Sequence, residues 1–213
     1  MIASAILLAA LSGAPLIASG TYDYTATFNG KSVGSATIVV KDGAGTPTEI
    51  DEQSSGTMNG QSATAKDTLL LGGDLAPTAY SGDYDVAGTP SQVSVKLTPT
   101  TATVGDQSFG LSDGAKHFVV LEPGLLAGVI ALPAQMQAWN DPSVMAVIPG
   151  FGIAAPIATD ASLTGPRPAN LPASDVAISF AGEQPFTIWY DPATLVPDEL
   201  QVSGQALVVT RVR

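Results

Sequence analysis

For most of its length the chain alternates apolar and polar residues at a period of two, the pattern of strands with one buried face. Tyr22, Tyr24, Ala26 and Phe28 share one face of a strand over 22–28. Asn29-Gly30 then supplies a tight hairpin, because both residues tolerate positive φ. A partner strand follows over 33–41, and two more, 48–58 and 61–71, flank a second Asn-Gly turn at Asn59-Gly60. Runs over 78–86, 92–97, 101–104, 108–111 and 116–121 continue the series, with glycine and proline at the turns. These elements predict an antiparallel meander with strands long enough to coil into a barrel or half-barrel.

Residues 118–139 break the pattern. No charge occurs between Glu122 and Asp141. Good helix formers fill 125–132, and Pro133 is placed to open a second helical turn through Trp139. Leu125, Leu126, Val129, Ile130, Met136 and Trp139 make the helix apolar nearly all round, as a buried helix is. Pro133, Gln135 and Gln137 argue against a membrane span. The continuous apolar run 143–148 reads as a strand covered on both faces. Residues 149–156 read as a loop bearing Phe151 and Ile153, and 165–172 as a proline-rich connector. Strands over 176–180, 186–190 and 200–212 close the sheet. The expected fold is mainly β: a curved antiparallel sheet, half-barrel or open barrel, wrapped around one apolar helix.

The amino end adds a location. Residues 1–20 are small and apolar with no charged side chain, and Ala18-Ser19-Gly20 offers the small residues that a signal peptidase reads. Gly13 and Pro15 interrupt a core too short for a comfortable span. The expectation is a signal peptide over 1–20, one domain over 21–213 with its helical insert at 125–139, and a periplasmic or secreted protein. Net charge is −11, with scattered lysines and arginines, which excludes nucleic acid as an expected partner. With no cysteine and one histidine, no disulfide, metal site or cofactor is expected.

Candidate chemistry is sparse. Gly110-Leu-Ser-Asp-Gly114 matches G-x-S-x-G, with His117 close behind. A nucleophile elbow needs a helix next, and 116–121 reads as a strand, so a hairpin turn explains the pentapeptide better. Glu49 with Asp51, and Asp83 with Asp85, share strand faces; solvated acidic surface explains both pairs. Asp51-Glu52 and Asp198-Glu199 read as strand-edge or turn charges. No catalytic residue is assigned.

The β-meander, the mid-chain apolar helix, the strand ending Val147-Ile-Pro149 and the Thr187-Ile-Trp-Tyr-Asp-Pro192 hairpin resemble uncharacterised bacterial secreted domains. Those are similar in turn to the outer-membrane lipoprotein carrier (Lol-type) fold, an unclosed barrel around helices that binds lipid. The resemblance implies a cavity for a lipid or other apolar molecule. The apolar residues that would line it are Leu125, Leu126, Val129, Ile130, Met136, Trp139 and Phe151. The alternative is a non-enzymatic cell-envelope structural or interaction domain with a filled core.

Overall fold

The computed structural model describes residues 17–41, 48–58, 60–112 and 114–213. Most of the expected signal peptide, residues 1–16, lies outside them, as do the turn at 42–47, Asn59 and Asp113. Ile17 to Gly20, which the sequence assigns to the leader, are part of the fold. Ile17 is buried, the Ala18 amide donates to the Thr194 carbonyl at 3.0 Å, and the first strand begins at Gly20.

Fifteen strands form one sheet. In chain order they are β1 (Gly20–Phe28), β2 (Lys31–Lys41), β3 (Thr48–Met58), β4 (Gln61–Leu71), β5 (Pro77–Val86), β6 (Thr89–Leu97), β7 (Thr101–Val104) and β8 (Gln107–Gly110). The second half holds β9 (Phe118–Val120), β10 (Ser143–Ile148), β11 (Ile153–Thr159), β12 (Val176–Ala181), β13 (Phe186–Tyr190), β14 (Pro197–Val202) and β15 (Leu207–Arg211). The helix α1 (Ala127–Trp139) connects β9 to β10. Neighbours in the sheet run β8-β7-β6-β5-β4-β3-β2-β1-β15-β14-β13-β12-β11-β10-β9, so β8 and β9, consecutive in sequence, are its two opposite edges. β9 nevertheless packs near β5, and the 3₁₀ turn at Pro149–Phe151 near β6. The sheet therefore coils back on itself as an open barrel.

The alternation fixes which face is inside. Ala36, Ile38 and Val40 of β2 and Ile50 of β3 point inward. Across the register, Ala65, Leu69 and Leu71 of β4 join them. Asn29 and Gly30 both take positive φ, at 52° and 72°, as the expected hairpin requires.

Four expectations are corrected. Pro133 does not divide the helix: α1 is continuous through it, with Asn140 at φ 47° closing the last turn on the Met136 carbonyl. Residues 153–159 are strand β11 rather than loop. Only its Ala158 and Thr159 pair with β12, so Pro156 lies where a missing ladder donor is tolerated. The expected last strand is two, β14 and β15, parted by a turn with Gly204 at φ 73°. Finally, β9 and β10 run parallel. Parallel neighbours need a long crossover, and α1 is that crossover. This is why the helix lies across the inside of the sheet.

Candidate functional site

The site is the seat of α1. Every residue from Ala127 to Met136 is buried. Leu126, Ala127, Ile130, Ala131 and Ala134 pack into the main core against the inner face of β1–β7. Val129, Leu132 and Met136 pack the other way, with Val119, Val144, Phe180 and Ile188. The helix thus joins two apolar clusters and fills the space between them. Four residues of the expected cavity lining, Leu126, Val129, Ile130 and Met136, are inside this packing, and Leu125, ahead of the helix, is buried outside both clusters. Trp139 lies partly buried at the end of the helix, its indole N–H donating to the Asp74 carbonyl at 2.8 Å. Phe151 is apart from them, 68% exposed on the 3₁₀ turn, with Ile153 beside it at 43%.

Polar groups bolt the helix at both ends. No local side chain caps its amino terminus. Instead Glu52, on the inner face of β3, accepts the Leu126 amide at 2.6 Å and the Ala127 amide at 2.9 Å through Oε2. A carboxylate there satisfies two orphan donors and complements the helix dipole. At the other end the Gln135 amide nitrogen donates to the Leu75 carbonyl at 2.9 Å.

Directly across the β3–β4 ladder from Glu52 is Asp67. Both are nearly inaccessible, at 2% and 4% exposure. Burial raises Glu52 to about 7, even against the pull of the helix amides. Burial raises Asp67 to about 8, and the neighbouring Glu52 charge adds to the rise. Tyr80 and Tyr84 of β5 flank the pair, their hydroxyls 2.8 Å apart. The Tyr84 ring folds back over Gly82, where a Cβ would lie 2.7 Å from its Cζ. Glu122, also raised by burial, accepts the Gly150 amide at 2.6 Å.

Asp51-Glu52 is therefore not an edge pair: Asp51 points outward, and Glu52 is in the core. Asp198-Glu199 is corrected likewise, since both are buried. Asp198 faces the Arg211 Nε at 2.7 Å and accepts from Arg213 at 2.6 Å. Its partner Asp175 is raised to about 6, by burial first and then by the Asp198 charge. The sequence signal for these groups was the alternation itself, which puts Glu52 on the face of Ile50 and Asp67 on the face of Leu69 and Leu71.

The carboxylate pairs that the sequence picked out are on the outside. Lys41 bridges Glu49 at 2.6 Å and Asp51 at 2.5 Å. Asp83 accepts from Gln92 at 2.6 Å, and Asp85 accepts the Gly88 amide at 2.7 Å. An outward row of polar side chains, Asp23, Thr37, Gln53, Lys66, Asp83 and Gln92, crosses six consecutive strands in register. It runs along an open groove of about 740 Å³ whose other lining residues include Ser35, Ser55 and Thr64.

The G-x-S-x-G stretch is neither an elbow nor a hairpin. It lies in the connection between the two sheet edges, and the Ala115 amide closes a turn on the Ser112 carbonyl at 3.0 Å. His117 stacks on Trp139 with ring centroids 4.3 Å apart, its Nδ1 3.5 Å from Asp141. Among the described residues no cluster of three or more metal-ligating side chains occurs, and no helix is long and apolar enough to cross a membrane.

No known family matches the chain by sequence, and no curated protein does. Solved structures do. A DUF1089 family protein from Pseudomonas aeruginosa aligns with TM-score 0.56 at 10% identity, covering 81% of this chain and 90% of its own. A β-barrel-like protein of the domain of unknown function DUF1849, from Brucella abortus, aligns with TM-score 0.54 at 10% identity, covering 94% of this chain and 98% of its own. At that identity the likeness shows the fold alone: a β-rich, barrel-like domain of the kind seen in these uncharacterised proteins.

Proposed function

We propose that the chain is a non-enzymatic cell-envelope domain, exported from the cytoplasm, with a filled core and a recognition surface on the outside of its sheet. One observation carries this reading: α1 packs on both sides, so Leu126, Val129, Ile130 and Met136, expected to line a ligand cavity, are engaged with the rest of the core. Apolar side chains that fill a barrel leave no room for a lipid tail. Recognition then falls to the outer surface. The groove across β2 to β6 offers hydroxyl, amide and carboxylate groups, with Lys66 unpaired among the described residues. Such a lining suits a polar partner rather than an apolar one.

The protein purified from its native envelope should carry no lipid into an organic extract and take up no fluorescent fatty-acid probe. A photo-crosslinking residue at Gln53 should capture an envelope partner that the same residue at Phe151 does not. Saturable probe uptake, displaced by unlabelled fatty acid, would restore the lipid-carrier reading.

A further inference from the structure

The Glu52–Asp67 pair has a chemistry that seating a helix does not require. One carboxylate oxygen, Glu52 Oε2, satisfies the helix amides. Glu52 Oε1 and both Asp67 oxygens are buried with no well-formed hydrogen bond, although the Tyr80 hydroxyl favours the Asp67 charge and the Ser54 hydroxyl the Glu52 charge. Each carboxyl group lies against the other and is a hydrogen-bond partner for it once one of them carries a proton. Leaving three buried acceptors bare is costly. A single proton on Asp67, shared with Glu52 Oε1, relieves both groups at once. The surroundings supply no counter-charge in its place. Facing the pair are Tyr80 and Tyr84 from β5, Glu122 ahead of α1, Ser54 on β3 and Tyr24 from β1. The largest influences on either acid include no lysine or arginine.

We propose that Glu52 and Asp67 form a proton-sharing latch that seats the amino terminus of α1 on β3 and β4, and that removing the shared proton releases the helix end from the sheet. In acid both carboxyls are neutral and the seat is closed. Near neutrality Glu52 ionises and is held by the helix amides and by the Asp67 proton. In mild alkali two bare carboxylates face each other in a dry site, and their repulsion drives β3, β4 and α1 apart.

The linkage has a definite sign. Both folded-state pKa values are raised, to about 7 and about 8, above unfolded carboxyl values near 4. The unfolded chain loses its protons first, so stability falls as pH rises from about 4 to about 8. Around pH 6 unfolding should release about two protons from this pair, a roughly hundredfold rise in the unfolding constant per pH unit.

The test is urea unfolding of the full chain from about pH 5 to about pH 9, with amide exchange followed at residues 126–130. Asp67→Asn should cut the proton release to about one or fewer. Glu52→Gln keeps an acceptor for the helix amides and should flatten the slope in the same way, so it serves if the first variant does not fold. Asp175→Asn removes a raised carboxyl outside the latch and should leave most of the slope in place. Above about pH 8.5 the wild-type Leu126 and Ala127 amides should lose protection at least tenfold relative to β1 amides, while Asp67→Asn keeps it. An unchanged slope in both latch variants, or a loss of protection spread evenly over the sheet, would overturn the proposal.

Discussion

Replacing Gly128 by alanine should reverse the usual sign of a glycine-to-alanine change in a helix. In an exposed helix the substitution gains about 1 kcal/mol. Gly128 is in the second turn position of α1 and is buried against β9. A Cβ there would fall 2.9 Å from the Val120 carbonyl carbon, and closer still to its oxygen. Ordinary contact begins near 3.4 Å, so helix and strand must separate by at least about half an ångström, and by more to clear the oxygen. Neither can move freely. β9 is held in parallel register by β10, and the Leu121 amide bonds to the Val147 carbonyl at 2.9 Å. α1 is held by Glu52 and by the packing of Ile130 and Leu132. Overpacking costs about 1–3 kcal/mol, and weakening the Glu52 cap, a neutral carboxyl at the acid pH of the assay, costs about 0.5–1.5 kcal/mol. Set against the propensity gain, the net is a loss of about 0.5–3.5 kcal/mol. The assay is urea unfolding at about pH 5, where the latch acids are protonated. Gly165→Ala serves as the control, since nothing lies within 4 Å of a Cβ there, and it should change stability by less than about 1 kcal/mol. An unchanged or raised midpoint for Gly128→Ala would refute the close seating of α1 on β9.

Two further substitutions probe the core. Leu132, fully buried between α1 and the second cluster, should cost about 2–5 kcal/mol when cut to alanine; the variant should also bind benzene, which the wild type should not, as read by ligand-induced thermal stabilisation. Asp198→Ala removes the acid between Arg211 and Arg213 and should destabilise by about 3 kcal/mol in urea unfolding, most of it through the Arg211 guanidinium left in a site only 17% exposed.

Period-two alternation is a local property, and it located local things well. The bounds of β3, β4, β7 and β13 follow from it, those of β10 from an unbroken apolar run, and Asn29-Gly30 announced its hairpin through backbone chemistry alone. It also held a signal for Glu52 and Asp67, on the faces of Ile50 and of Leu69 and Leu71, but Asp51-Glu52 read as strand-edge or turn charges because a charge on a buried face is easily read as surface. Their role was not legible, because the helix amides that Glu52 caps are 74 and 75 residues away in sequence. Non-local facts were hidden for the same reason. That β8 and β9 form opposite edges, and that β9 and β10 run parallel, depends on which strands meet and not on how each is patterned. β11 was masked by Pro149 and Pro156, whose penalty vanishes where β12 stops pairing. The helix was legible as apolar and buried. Whether it filled the sheet or left a cavity depended on packing on its two sides, which composition does not carry.

Amide hydrogen exchange on the unliganded protein tells whether α1 is a packed plug. At about pH 5, with both latch acids protonated, the amides of residues 130–132 and 134–136 should exchange only with global unfolding, as slowly as those of Ile38, Ile50 and Leu69. Fast exchange along α1, slowed when a fatty acid is added, would mean that the helix lines a ligand cavity instead of filling it, and would contradict the account.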